Sequence, residues 1–189
     1  AATTNGQCQF RFWYHMYGMD IASLNVYTRT FVGGPLTQVW SQHGEKGDEW
    51  LRAKVTLQIS QPFQILLEGI RGPSYEGDIG VDDISFTPGC QLETTVTLPP
   101  FVYSTTQSPH CNSTHSHCLK NTYECIPKDQ FCNFKDECSD RTDELSCPQV
   151  CTFEGKTTCL WTHDTKQKLK WEFGNGETAS SNTGPSHGK

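Results

Sequence analysis

Trp50-Leu51-Arg52-Ala53-Lys54-Val55-Thr56-Leu57-Gln58-Ile59 alternates without a break. Leu51, Ala53, Val55, Leu57 and Ile59 fall on one side, and Arg52, Lys54, Thr56 and Gln58 on the other. A period of two marks a strand with one face in a core and the other in water.

The same pattern extends in both directions. From Cys8 onward, Phe10, Phe12, Tyr14 and Met16 share a face; in Ser23 to Thr28, Leu24 and Val26 do. Phe63 to Leu67 and Ile79 to Phe86 are further strands. In the last of these the apolar parity shifts between Val81 and Ile84, so a β-bulge is expected around Asp82-Asp83. Gly33-Gly34-Pro35, Gly44 to Gly47 and Gly69 to Gly72 supply turns. Strands at this spacing, without helical periodicity, predict an all-β antiparallel sandwich. A bridge between Cys8 and Cys90, the only cysteines here, would tie the first strand to the end of the last. Closing so long a loop is worth about 4–5 kcal/mol in the chain-entropy account.

The chain has 189 residues, room for one or two domains, and only 34% of them are hydrophobic. A net charge of −6 with no basic stripe argues against a nucleic-acid partner. No apolar run is long enough for a membrane-spanning helix. The opening Ala1 to Cys8 lacks the charged and apolar regions of a signal peptide. Ten cysteines point to an oxidising, extracellular or lumenal compartment. The sequon Asn112-Ser113-Thr114 fits such a setting and makes Asn112 a candidate glycosylation site.

Residues 111–147 form a different kind of segment, with cysteines at 111, 118, 125, 132, 138 and 147 and few aliphatic side chains. So small a piece needs disulfides or a metal as staples. Asn133, Asp136, Glu137, Asp140, Thr142, Asp143 and Glu144 crowd oxygen into its second half, which suits calcium rather than zinc. By spacing alone, six cysteines allow about 15 pairings.

Two family resemblances rest on these residues. Cys8-Gln-Phe-Arg-Phe-Trp-Tyr-His-Met-Tyr-Gly18, Gly47-Asp-Glu-Trp50 and Gly77-Asp-Ile-Gly-Val-Asp-Asp-Ile-Ser85 resemble the C-terminal half of a MAM domain. That resemblance implies a jelly-roll β-sandwich, a Cys8–Cys90 bridge and, since the family's N-terminal half is missing here, a chain cut from a longer protein. Cys111 to Cys147, ending Cys138-Ser-Asp-Arg-Thr-Asp-Glu144, resembles an LDL-receptor class A repeat. It implies the pairs Cys111–Cys125, Cys118–Cys138 and Cys132–Cys147. It also implies a Ca2+ cage with side-chain ligands Asn133, Glu137, Asp143 and Glu144 and carbonyl ligands Gln130 and Lys135, while Asp140 and Thr142 hold a turn. Asn133 and Glu137 each stand where that family carries Asp, so weaker calcium binding is expected. Gln130 replaces the family's Trp, which removes the aromatic platform for a ligand lysine.

Cys151 to Trp161 resembles the start of a second MAM domain, which implies a Cys151–Cys159 bridge, with Lys170-Trp171-Glu172-Phe173 as the next strand. This piece is expected to be poorly ordered or to complete its sheet elsewhere, with two separate incomplete sheets favoured over a permuted pairing of the two segments. The organisation expected is 1–91 partial MAM, 92–109 Thr/Pro-rich linker, 110–148 calcium module and 149–189 partial MAM. The sandwich would thus be incomplete at both chain ends.

No nucleophile elbow, zincin motif or phosphate loop is present. His115 and His117 read as solvated, Asp78, Asp82 and Asp83 as turn, bulge or cation-facing residues, and His15 as a packed or surface side chain. The function expected is non-catalytic: an extracellular calcium-stabilised binding or adhesion array with a protein or lipoprotein ligand. Alternation of the two modules is similar to that of MAM and LDL-receptor class A domain-containing proteins of gut epithelium, which implies a link to bile-acid and cholesterol metabolism. The alternatives are a substrate-targeting region of a membrane protease and the ectodomain of an endocytic or apical trafficking receptor. A downstream protease domain would mark the first, and a membrane helix with a sorting tail the second.

Overall fold

The computed structural model describes residues 2–3, 8–91, 111–121, 123–145, 147, 150–176, 178–180 and 183–189. The expected linker at 92–109 lies outside them. In chain order the strands are β1 Ala2–Thr3, β2 Cys8–Tyr17, β3 Ile21–Arg29, β4 Thr37–His43, β5 Gly47–Leu57, β6 Gln64–Arg71, β7 Asp78–Phe86 and β8 Cys90–Gln91. They continue with β9 His115–His117, β10 Cys125–Pro127 and β11 Val150–Cys151; the short helix α1 is Thr142–Leu145.

The architecture is all-β and fits a β-sandwich. One sheet runs β11-β7-β2-β5 and another β4-β3-β6, and β1-β8 and β9-β10 form two small pairs. In the three-stranded sheet β3 pairs antiparallel with both neighbours, Asn25 standing opposite Ser41 on one side and Glu68 on the other. The register shifts at Val26/Tyr27 and at Ile21/Ser23.

By density of contacts the chain divides into two units. One comprises Ala1–Arg11, Thr56–Phe63 and Ser85–Val150, and the other Phe12–Val55, Gln64–Ile84 and Cys151–Lys189. In the first unit, the Cys8–Cys90 bridge joins β2 to β8, and the rings of Phe10 and Phe86 lie 5.1 Å apart. In the second, Trp40 meets Phe12 and Tyr14 edge-on at 5.2 and 5.3 Å, an arrangement that suits ring quadrupoles.

The alternation along β5 is seen directly: Ala53, Val55 and Leu57 are buried, whereas Lys54 and Thr56 are exposed. Phe10, Phe12, Tyr14 and Met16 on β2, and Leu24 and Val26 on β3, are also buried. Near the end of β7, Asp83 takes φ 45°, and its N–H donates to the Asp82 carboxylate at 2.7 Å. Gly18 turns between β2 and β3 at φ 115°; a Cβ there would sit 2.4 Å from the Glu76 carbonyl, so only glycine fits.

Two expectations for the last segment are corrected. Residues Cys151–Lys189 belong to the same compact unit as most of the first segment, not to a separate sheet. The Trp171 ring lies 3.3 Å from where a Gly69 Cβ would be, Trp50 Nε1 donates to the His187 carbonyl at 3.1 Å, and the Ser186 N–H donates to Asp48 at 3.1 Å. The Lys189 ammonium lies 4.9 Å from the Trp13 ring centre and pairs with Asp83. Second, Lys170–Phe173 is not a strand. A strand needs a partner for its backbone groups, and this stretch docks through Trp171 instead.

Candidate metal centre

All ten cysteines are bonded: Cys8–Cys90, Cys111–Cys125, Cys118–Cys138, Cys132–Cys147 and Cys151–Cys159. In the six-cysteine module the bridges replace a core. Cys118, Ile126, Phe131, Cys132 and Cys138 form its only buried apolar cluster among the described residues, with Cys147 at the margin. A single 3-10 turn, Lys128–Gln130, leads into a loop where Cys132 and Phe134 take left-handed φ of 57° and 66°. Those angles fold the loop back over α1.

Carboxylates of Glu137, Asp143 and Glu144 converge there, each offering an oxygen within 4.8 Å of the others. Glu144 accepts the N–H of Asn133 at 2.6 Å and of Phe134 at 3.0 Å. Asp143, fully buried, accepts the N–H of Glu137 at 2.8 Å. Asn133 donates from Nδ2 to Glu137 at 3.2 Å, and its Oδ1 accepts the N–H of Lys135 at 2.9 Å. The Lys135 ammonium, mostly exposed, stands 3.8 Å from Glu137. Gln130 closes the 3-10 turn.

The electrostatics are unbalanced. Burial pushes the Glu144 carboxyl above its ordinary range and the Asp143 charge adds to the rise, while the two loop N–H groups and Arg11 oppose it. Asp143 Oδ1 and Glu137 Oε2 are buried without a hydrogen-bond partner. Buried carboxylate oxygens left unpaired are costly, and a hard cation is the partner that satisfies several at once. The chemistry of Glu137, Asp143 and Glu144 therefore fits calcium, which their side chains would hold with Asn133 adjoining Glu137. Bound calcium would supply the positive charge that this cluster lacks.

Asp140 lies outside the cluster. Its carboxylate accepts the N–H of Thr142 at 3.0 Å, the Thr142 hydroxyl at 2.6 Å and the N–H of Lys120 at 2.6 Å. Burial works to raise its pKa, yet these bonds bring it below the usual carboxylate value. Cys118, Cys138 and Asp140 also approach one another, but both cysteines are spent in a disulfide. Asn112 is exposed and accepts from the Thr114 N–H and hydroxyl, and the His115 ring lies 2.6 Å from Asn112 Oδ1. Asp78 accepts from Thr178, and burial raises the Asp82 carboxyl.

The β-rich segment carries its own signature, with strands β2 to β7 bracketed by the Cys8–Cys90 bridge. Residues 1–91 match the MAM domain, meprin/A5/mu. Relatives similar to this segment include MAM domain-containing glycosylphosphatidylinositol anchor protein 1 from Homo sapiens, 49% identical over 79 residues. That alignment covers 41% of this chain and 8% of the relative. Anchor protein 2 from Mus musculus is 47% identical over 90 residues, 46% of this chain and 9% of the relative. The chain thus spans under a tenth of the length of these curated relatives. Their names denote a glycosylphosphatidylinositol anchor. The setting is extracellular or lumenal, since five disulfides need an oxidising compartment. No helix among the described residues is long and apolar enough to cross a membrane.

One functional-looking residue of the β-rich segment, Arg11, escapes pattern reading, while His15 takes the packed one of its two expected states. Arg11 and His15 occupy the nominally outward face of β2, yet each is 1% exposed. His15 Nε2 lies 3.0 Å from Asp48, and its ring is 5.4 Å from that of Trp50. For Arg11 the one sequence hint is a charge set between Phe10 and Phe12.

Proposed function

We propose that this chain is a non-catalytic extracellular binding or adhesion region, in which a calcium-stabilised module of LDL-receptor class A type follows a MAM segment. The observation that carries the reading is the pair of orphaned oxygens, Asp143 Oδ1 and Glu137 Oε2, inside a convergent carboxylate cluster. Calcium there closes a module that has few apolar contacts of its own. The ligand is an extracellular protein or lipoprotein. With Gln130 at the end of the 3-10 turn in place of an aromatic platform, the module serves chiefly to hold its neighbours in a fixed geometry.

The test uses beads coated with the oxidised chain and applied to adherent cells in about 1 mM calcium or in chelator, with Asp143→Asn beads as control. Calcium-dependent retention that the substitution abolishes supports the proposal. Equal retention of the two kinds of bead, or none by either, contradicts it.

A further inference from the structure

Arg11 is the largest fully buried side chain among the described residues. Its Nη1 donates to the Asp129 carbonyl at 2.8 Å, and its Nη2 to the Phe131 carbonyl at 2.7 Å and to the Cys132 carbonyl. A guanidinium taken out of water is costly unless acceptors surround it, and its planar fork suits several fixed carbonyls at once. The loop provides them by its shape: Phe131 is extended at ψ 141°, and Cys132 then turns left-handed.

The same loop is also held through its amides, by the Glu144 carboxylate and the Asp143 backbone. The N–H groups of Asn133 and Phe134 donate to Glu144, and the Cys132 N–H donates to the Asp143 carbonyl at 3.0 Å. Carbonyls go to a cation from β2 and amides to the acidic centre. Moreover, the carbonyls that Arg11 takes are not those of Gln130 and Lys135, which the calcium cage would use.

We propose that the loop from Asp129 to Cys132 is a guanidinium-binding cradle, filled in cis by Arg11, that couples the acidic centre to β2. Calcium at Glu137, Asp143 and Glu144 then stiffens β2 as well as the module; this second half rests on the calcium reading above.

Hydrogen exchange of the full oxidised chain, read by mass spectrometry in chelator and in about 1 mM calcium, tests both halves. Arg11→Met keeps the stem and removes the donors; Arg11→Lys keeps the charge and loses the fork. In chelator, loop amides at Cys132 to Phe134 should exchange roughly 10- to 100-fold faster in Arg11→Met and by a smaller factor in Arg11→Lys. In calcium, β2 amides should slow in the wild type and not in either variant. Unchanged loop exchange in Arg11→Met overturns the cradle; if that variant fails to fold, unchanged exchange in Arg11→Lys does so. Equal calcium slowing of β2 in wild type and variant overturns the coupling. If calcium slows nothing in the wild type, the calcium reading and the coupling fall together, while the chelator comparison still decides the cradle.

Discussion

Replacing Asn133 by Asp should trade stability without calcium for affinity toward it. In the structure Asn133 Nδ2 donates to Glu137 Oε1 at 3.2 Å, so the amide acts as a neutral spacer between acidic groups. Asn133→Asp removes the donor and sets two carboxylates at that separation. At an effective dielectric of ~20 the repulsion is about 5 kcal/mol, and partial solvent access brings it to about 2–5 kcal/mol. The Glu137 side chain is only 12% exposed, so screening cannot erase it. The N–H of Lys135 keeps its acceptor, because that bond is to Oδ1. Calcium relieves the repulsion and gains a fourth formal charge, so affinity should rise at least tenfold, the equivalent of about 1.4 kcal/mol. Thermal melting in chelator and calorimetric titration with calcium together form the assay. A variant that melts like the wild type in chelator and binds calcium no more tightly would refute this account of the site.

Asp143→Asn removes the most buried carboxylate of the cluster. It should abolish the calcium-induced rise in melting temperature while changing stability in chelator by less than about 1 kcal/mol, since the orphaned charge leaves with it. In the other unit's chemistry, Asp48 is held down to about 2 by the Ser186 hydroxyl and N–H and by His15. A depressed carboxyl stabilises above its ordinary pKa of 3.8, and that contribution is lost as pH falls toward about 2. The Trp50 indole N–H signal, which reports the bond to His187, should shift across that window in the wild type and not in Asp48→Asn. Finally, Phe10→Ala should cost about 3–5 kcal/mol in denaturant unfolding, because Phe10 is fully buried against Phe86.

Alternation made the strands legible, since Ala53, Val55 and Leu57 must all point one way for β5 to bury anything. Period-two reasoning, however, assigns only one face to a core. It leaves Arg11 off the Phe10–Met16 face, and the groups that bury it, Asp129 to Cys132, are more than a hundred residues away and carry no local mark. The same limit applies to Lys170–Phe173, whose β-like composition gives no information on whether a partner strand exists. In the module, acidic density at 133–144 showed that a cation would be welcome. It could not distinguish Asp140, which caps a turn through Thr142 and Lys120, from Asp143, which faces Glu137 and Glu144. That distinction came from family resemblance, as did the cysteine pairing.

Glu137, Asp143 and Glu144 are proposed to form a single calcium site. Isothermal calorimetric titration of the oxidised full chain with calcium at neutral pH tests it most directly. One binding event is expected, with a dissociation constant at or below about 1 mM, absent in Asp143→Asn. No heat of binding at that concentration, or the same binding in the variant, would contradict it.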